Sequence, residues 1–224
     1  DKYFTYAAAI DAPMERKGFI EIVGAGPGDP ELISVKGKRF LQTADYILYA
    51  GSLVPEQLTY YARPGCVVES SAGMDLQTQL KSMKRFYNRG LSIVRLHTGD
   101  PCIYGAIQEQ MAIMDKWGWN YHITPGISSF QAAAAALRSQ FTIPDEVQTI
   151  ILTRGEGRTA MPPKEQLHKL AQSQSTMCIY LSASIAAKVQ EELLMHYPQE
   201  TPVAVCYKLT WNDEKIYRCS LATL

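Results

Sequence analysis

Phe19-Ile20-Glu21-Ile22-Val23-Gly24-Ala25-Gly26-Pro27-Gly28-Asp29-Pro30 is the stretch on which the reading of this chain turns. A β-rich run, Phe19 to Val23, passes straight into a glycine turn, and Pro30 to Leu41 continues with helical spacing. A strand, a glycine turn and a helix admit three readings. The dinucleotide fingerprint G-x-G-x-x-G needs a third glycine for close helix–strand packing. Here Gly24 and Gly26 fit, but Asp29 holds the third position and Pro27 stiffens the turn. The next strand, Tyr46 to Tyr49, runs into Ala50-Gly51 instead of ending on the acidic residue that would hold a ribose. The phosphate loop G-x-x-x-x-G-K-[ST] fails because no Lys-Ser/Thr pair follows. A tight βα turn that needs glycine for its dihedrals and a ligand loop of another kind both remain open.

A second Gly-Asp-Pro, Gly99 to Pro101, shifts that balance, because it too follows a predicted strand, Leu91 to Leu96. Ligands of open α/β sheets sit outside the carboxyl ends of the strands. Two stiff loops at that edge let backbone groups approach a ligand while little extra chain is ordered on binding.

Outward from these turns the apolar runs alternate strand with helix. Cys66 to Glu69 reads as a strand, Leu76 to Asn88 as an amphipathic helix closed by Gly90, Tyr104 to Trp117 as a helix stopped by Gly118, and Tyr121 to Ile123 as a brief strand. This pattern predicts parallel βαβ units. Thr124-Pro125-Gly126 then punctuates the chain, and Ser128 opens an alanine-rich helix to about Leu137. Thr149 to Thr153, Met177 to Leu181 and Val203 to Tyr207 are further strands, with helices near Lys164 to Ala171 and Ser184 to His196. Lys215 to Cys219 alternates like a final antiparallel strand. Residues 1–17 read as a linker or tail, 18–123 as an N-terminal α/β domain with a parallel sheet, and 124–224 as a C-terminal α/β domain with a mixed sheet. The last residues stop just after a strand, so the second domain is expected to be truncated at its end.

Formal net charge is zero, which gives no global pull toward nucleic acid or an anionic membrane; an acidic ligand needs a local basic cluster instead. No apolar run approaches a membrane span, and no basic region followed by an apolar core marks a signal peptide. Five cysteines without a CxxC pair argue for reduced thiols in a cytoplasmic protein, not for a disulfide framework or a zinc site.

At Val23 to Pro30, Ala44-Asp45, Tyr49 to Val54, Ser71 to Met74, Val94 to Pro101, Tyr104 to Gln110, Pro125 to Ser129, Leu152 to Thr159, Pro202 to Val205 and Tyr207 to Trp211 the sequence resembles the tetrapyrrole methylase family. The glycine loop marks the superfamily. The segments at Tyr49 to Val54, Gly73-Met74, His97 to Gln110 and Thr153 to Thr159 resemble, more selectively, its precorrin-4 and cobalt-precorrin-4 C11-methyltransferases of cobalamin biosynthesis. The resemblance implies a homodimer of two-domain subunits, with S-adenosylmethionine folded into a trough between the domains and leaving as S-adenosylhomocysteine. The implied cofactor contacts are Pro27, Thr98, Gly99, Asp100, Ile103, Ser128, Ser129, Leu181 and Leu209, and the implied substrate is a small-molecule tetrapyrrole.

Such a substrate carries many carboxylates, which arginine can grip with two parallel hydrogen bonds. Arg154 and Arg158, in a glycine-rich loop after a strand, are the first choices; Lys208 and His97 follow, and Tyr104 is placed to flank the ring. Each has an ordinary alternative, as a surface ion pair, a satisfied histidine or a core tyrosine. Asp100 is the carboxylate best placed to orient a cofactor, against a role as a turn cap. No catalytic base and no metal site is named by the sequence. Other readings are a methyltransferase of the same fold acting on another ring carbon or on a protein, as in diphthamide synthesis, a nucleotide-binding oxidoreductase, and a ligand-binding module without catalysis.

Overall fold

A computed structural model describes residues 17–180 and 183–224. The expected N-terminal tail therefore falls almost wholly outside the described residues, as does Leu181. The chain forms two compact units that part between Ser129 and Phe130.

The first unit is built on five strands, β1 (Phe19–Gly24), β2 (Tyr46–Tyr49), β3 (Val67–Ser70), β4 (Ser92–His97) and β5 (Tyr121–Thr124). All pair in parallel, in the order β3-β2-β4-β1-β5. Three helices cover the sheet: α1 (Val35–Thr43), α2 (Leu76–Tyr87) and α3 (Gln108–Lys116). Residue alternation along each strand splits the core in two. Ile20 and Ile22 of β1, Tyr46 and Leu48 of β2, and Ile93 of β4 pack with Leu80, Met83 and Phe86 of α2 and Met114 of α3. Val23, Ile47, Val94 and Leu96 face the other way, against Leu41 of α1 and Leu58.

Two helices begin later than the apolar spacing predicts. Pro30 to Leu41 divides into a 3-10 turn, Pro30–Leu32, and α1, because Asp29 and Ser34 each cap a start: Asp29 Oδ1 accepts from Glu31 N at 2.9 Å and Ser34 Oγ from Gly37 N at 2.9 Å. Tyr104 to Ile107 lies outside α3, since Tyr104 and Ala106 have left-handed φ values of 55° and 54° that a helix cannot contain.

The second unit holds α4 (Ser129–Leu137, begun on the last residue of the first unit), β6 (Ile150–Arg154), α5 (Leu167–Leu170), β7 (Thr176–Tyr180), α6 (Ala186–Leu193), β8 (Pro202–Tyr207) and β9 (Lys215–Ser220). Parallel and antiparallel pairing both occur, in two separate ladders: β6 with β7 in parallel, β8 with β9 antiparallel. Its core is Leu167, Ala171, Val189, Leu193 and Leu221. No helix of the described residues is long and apolar enough to cross a membrane.

Candidate functional site

β1 and β4 are neighbours in the middle of the first sheet, with Gly24 opposite His97. The chain leaves β1 toward α1 on one face and leaves β4 toward α3 on the other. Adjacent parallel strands whose connections diverge in this way open a crevice at their carboxyl ends. Both Gly-Asp-Pro turns lie there, and they are joined: Gly26 N donates to Gly99 O at 3.2 Å, Gly99 N to Gly26 O at 2.8 Å, and Ala25 N to His97 O at 2.6 Å. Gly24 and Gly99 also meet a third glycine. A Cβ on Gly24 would lie 2.6 Å from Gly99 O and 2.7 Å from Gly126 Cα, and one on Gly126 only 2.2 Å from Gly99 O. The close helix–strand approach that G-x-G-x-x-G obtains from its last glycine falls here to Gly37 of α1, where a Cβ would lie 2.9 Å from Val23 Cγ1, while Gly126 lets its loop press against the two turns.

Asp100 binds this arrangement. Its Oδ1 accepts from Cys102 N at 2.8 Å, closing its own turn, and its Oδ2 accepts from Gly126 N at 2.9 Å. Two of its acceptor sites thus serve the loops, while each carboxylate oxygen keeps a second lone pair. The Thr124-Pro125-Gly126 stretch, where the sequence suggested a domain boundary, is held in the first unit by this contact. An open hollow of about 330 Å³ lies beside it, between Glu31–Ser34 and Pro125–Ile127.

From Gly99 the chain enters a strained turn. Gly99 has φ 59°, Tyr104 and Ala106 are left-handed without being glycine, and a Cβ on Gly105 would sit 2.0 Å from Pro101 O. Non-glycine residues in this region cost of order 1 kcal/mol each and persist only where surroundings enforce them. The turn presents Tyr104, half exposed, and the exposed Thr98 and Cys102, with Ile103 half-buried between them. Burial and the neighbouring Asp100 carboxylate both push the Cys102 thiol up from its ordinary value. Of the other expected contacts, Pro27 and Ser128 are buried and Ser129 is half-buried at the start of α4.

His97 is buried at 6% exposure beneath the turn, and its Nε2 has no partner. Burial, reinforced by the Arg95 guanidinium, pulls its pKa down to about 3, so the ring is neutral at ordinary pH.

The remaining expected residues belong to the second unit. Arg154 ends β6 and turns back on its own loop, Nη1 donating to Thr159 O at 3.2 Å and Nη2 to Ala160 O at 3.4 Å. Glu156 steadies the same loop through Lys188 Nζ at 2.7 Å and Met161 N at 3.2 Å. Arg158 at the loop tip is exposed, with no hydrogen bond or ion pair among the described residues. Lys208, left-handed at φ 48°, donates to Asp213 Oδ2 at 3.1 Å and lies over the rings of Tyr207 and Trp211. That hydrogen bond raises the Lys208 pKa above its ordinary value. Leu209 beside it is buried.

Gly126 and Arg95 were missed as site residues. Both fall in segments that carry the family resemblance, but Gly126 was otherwise read as punctuation and Arg95 was given no role, because its partners are distant in sequence. Among the described residues no group of three or more His, Cys, Asp or Glu side chains is placed to hold a metal ion.

Comparison with known proteins agrees with this geometry. The family model of the Tetrapyrrole (Corrin/Porphyrin) Methylases matches residues 20–224. The chain is 50% identical over 209 residues to the cobalt-precorrin-4 C(11)-methyltransferase of Methanocaldococcus jannaschii, covering 93% of this chain and 81% of that one. It is 42% identical over 205 residues to the precorrin-4 C(11)-methyltransferase of Pseudomonas aeruginosa, covering 92% and 82%. The X-ray structure of a cobalamin biosynthetic enzyme, a cobalt precorrin-4 methyltransferase, superposes with a TM-score of 0.88 at 46% identity, covering 91% of this chain and 86% of that one. With the family pattern running through both units, the chain belongs to the tetrapyrrole (corrin/porphyrin) methylases.

Proposed function

We propose that this protein transfers a methyl group from S-adenosylmethionine to C11 of precorrin-4 or cobalt-precorrin-4 in corrin ring biosynthesis. The observation that carries the reading is the 50% identity to a C(11)-methyltransferase across nearly the whole chain. The residues at the switch point suit the cofactor. Three glycine backbones pack against each other with no room for a Cβ, so the edge is rigid, and Asp100 locks the two turns to the Gly126 loop. Asp29, which stands where a dinucleotide site needs glycine, caps the turn at Glu31, which speaks against the oxidoreductase reading.

When bound, S-adenosylmethionine would supply an electrophilic methyl group on sulfonium sulfur, taken up by the ring carbon as the C–S bond breaks and S-adenosylhomocysteine leaves. The chain therefore needs no nucleophilic side chain of its own; its work is positioning. Pro27, Thr98, Gly99, Asp100, Ile103, Ser128 and Ser129 are the proposed cofactor contacts of the first unit, and Leu209 is the contact proposed from the second. Tyr104 offers an aromatic face for the macrocycle. Arg158, which has no hydrogen bond or ion pair among the described residues, is the cation proposed for a ring carboxylate, whereas Arg154 shapes the loop that carries it. A homodimer and a cytoplasmic location complete the proposal; five unpaired thiols support a reducing compartment.

The test is incubation with methyl-labelled cofactor and, separately, precorrin-4 and cobalt-precorrin-4. A gain of one methyl mass at C11 of either ring is expected. No mass gain on either, from protein that binds S-adenosylhomocysteine, removes the C11 assignment.

A further inference from the structure

Under the ligand edge lies a buried charge that methyl transfer itself does not use. Arg95 sits mid-strand in β4, between Ile22 and Leu48 of the neighbouring strands, and is 3% exposed. No carboxylate among the described residues pairs with it. Its Nη1 donates to Leu48 O at 3.2 Å, its Nη2 to Ser71 Oγ at 3.3 Å and to Gln79 Oε1 at 3.1 Å, and its Nε has no partner. Gln79 Oε1 also accepts from Gln110 Nε2 at 3.2 Å, while Gln110 Oε1 is enclosed without a partner. Burial lowers the guanidinium pKa to about 10, which still leaves it charged at neutral pH. Burying a cation carries a desolvation cost, and with neutral acceptors alone no opposite charge offsets it. Stability by itself is a weak reason to keep a charge here.

Its partners supply a stronger one. Leu48 is the penultimate residue of β2, Ser71 follows β3, Gln79 lies on α2 and Gln110 in the first turn of α3. Arg95 thereby ties β2, β4 and the residue after β3 to α2 directly, and through Gln79 to α3. The strained turn Gly99 to Ala106 spans the gap from the end of β4 to the start of α3. Its left-handed residues keep their conformation only while both ends are fixed. Arg95 fixes one end through the strand it belongs to and the other through Gln79 and Gln110.

We propose that Arg95 is a positioning residue for methyl transfer, which through Gln79 and Gln110 holds the Gly99–Ala106 turn in the conformation that meets cofactor and tetrapyrrole. The inference rests on the proposed function, while its turn-holding part is read by amide exchange independently of it.

The test compares Arg95→Met, Arg95→Lys and Gln110→Met with the wild type. In Arg95→Met and Gln110→Met, amide exchange at residues 99–107 rises tenfold or more, while the amides of β1 and β2 keep their protection and Tm falls by no more than a few degrees. In both, kcat with the tetrapyrrole falls at least tenfold. Arg95→Lys, whose ammonium reaches fewer of the acceptors, recovers part of both. Turn protection and kcat within twofold of wild type in both methionine variants overturn the proposal. So does uniform loss of protection across the sheet in step with Tm, which marks a merely structural residue. Should Arg95→Met fail to fold, Gln110→Met decides, since it frees α3 and leaves the other Arg95 bonds in place. If the wild type methylates neither precorrin, the functional proposal fails, and exchange at 99–107 with and without S-adenosylhomocysteine still decides this one.

Discussion

Replacing Gly126 with alanine places a methyl group 2.2 Å from Gly99 O, 2.9 Å from Gly24 Cα and 3.0 Å from Gly24 C. All three atoms are backbone, so no rotamer change relieves the contact. An ordinary carbon–oxygen approach is about 3.3 Å, so the Gly126 loop must retreat by roughly 1 Å. That distance exceeds what the hydrogen bonds at the site tolerate. The Gly126 N to Asp100 Oδ2 bond, now 2.9 Å, breaks, at about 1.5–3 kcal/mol for a bond to a charged group. If the Gly99 loop moves instead, its reciprocal bonds with Gly26, at 3.2 and 2.8 Å, are lost at about 1 kcal/mol each. Either route costs about 2 kcal/mol in the first unit, and a unit of this size should then unfold roughly 8 °C lower. Because the displaced backbone is the proposed cofactor edge, affinity for S-adenosylhomocysteine should fall at least tenfold. Differential scanning calorimetry and isothermal titration read the two effects. Gly157→Ala is the control, since a Cβ there meets nothing within 4 Å. Gly126→Ala with a Tm within 2 °C of the control and unchanged affinity refutes the claim that these three glycines close the site.

Four further outcomes follow from the same geometry. His97, with its pKa held near 3 against an ordinary 6.5, contributes stability that is present above pH 6.5 and fades as pH falls toward 3, because the unfolded chain takes up the proton first. Denaturant titrations at pH 6 and 4.5 should show the wild type losing about 2 kcal/mol more than His97→Gln; parallel losses contradict a buried neutral ring. Cys102, the exposed cysteine, should be alkylated first among the five, at a rate still climbing at pH 9 because only the thiolate reacts and its thiol is pushed up, and S-adenosylhomocysteine should slow that reaction. Unaltered labelling with the ligand bound would place the cofactor away from this turn. Arg158→Ala should raise KM for the tetrapyrrole several-fold and leave Tm and S-adenosylhomocysteine affinity unchanged, whereas Arg154→Ala should loosen the 155–160 loop, seen as faster amide exchange there; equal effects on cofactor and substrate in Arg158→Ala refute its assignment. Asp100→Asn keeps the acceptor of one backbone bond and turns the other into a donor facing Gly126 N, so it should lower both Tm and affinity, while an effect on affinity alone would assign Asp100 to the cofactor directly.

What the sequence made legible is what is local. β1, β2 and β4 lie within one residue of their apolar runs, because a buried parallel strand is a short continuous run with turns at both ends. The start of α3 was misplaced by four residues. Its apolar spacing extends back to Tyr104, and the force that overrides it, the approach of Gly105 to Pro101 O, exists only once the turn has closed. In the second unit the strands were found but not their division into two ladders. β8 and β9 expose residues on both faces, so alternation there carries little information about pairing.

The site divides along the same line. Gly24, Gly26, Gly99 and Asp100 stand out in the sequence because a turn writes its glycine, proline and aspartate close together. Arg95 and Gly126 do not, because their partners lie 16 to 47 positions away for the one and 26 for the other. Yet these two are what supports reading the glycine turn as a ligand loop. A tight βα turn requires only its own dihedrals, whereas a turn whose backbone is pressed against two others, beside a strained segment braced by a buried charge, has been fixed at some cost to stability. Folding alone gives no reason to bear that cost, and a cofactor that must be held still for a direct displacement does.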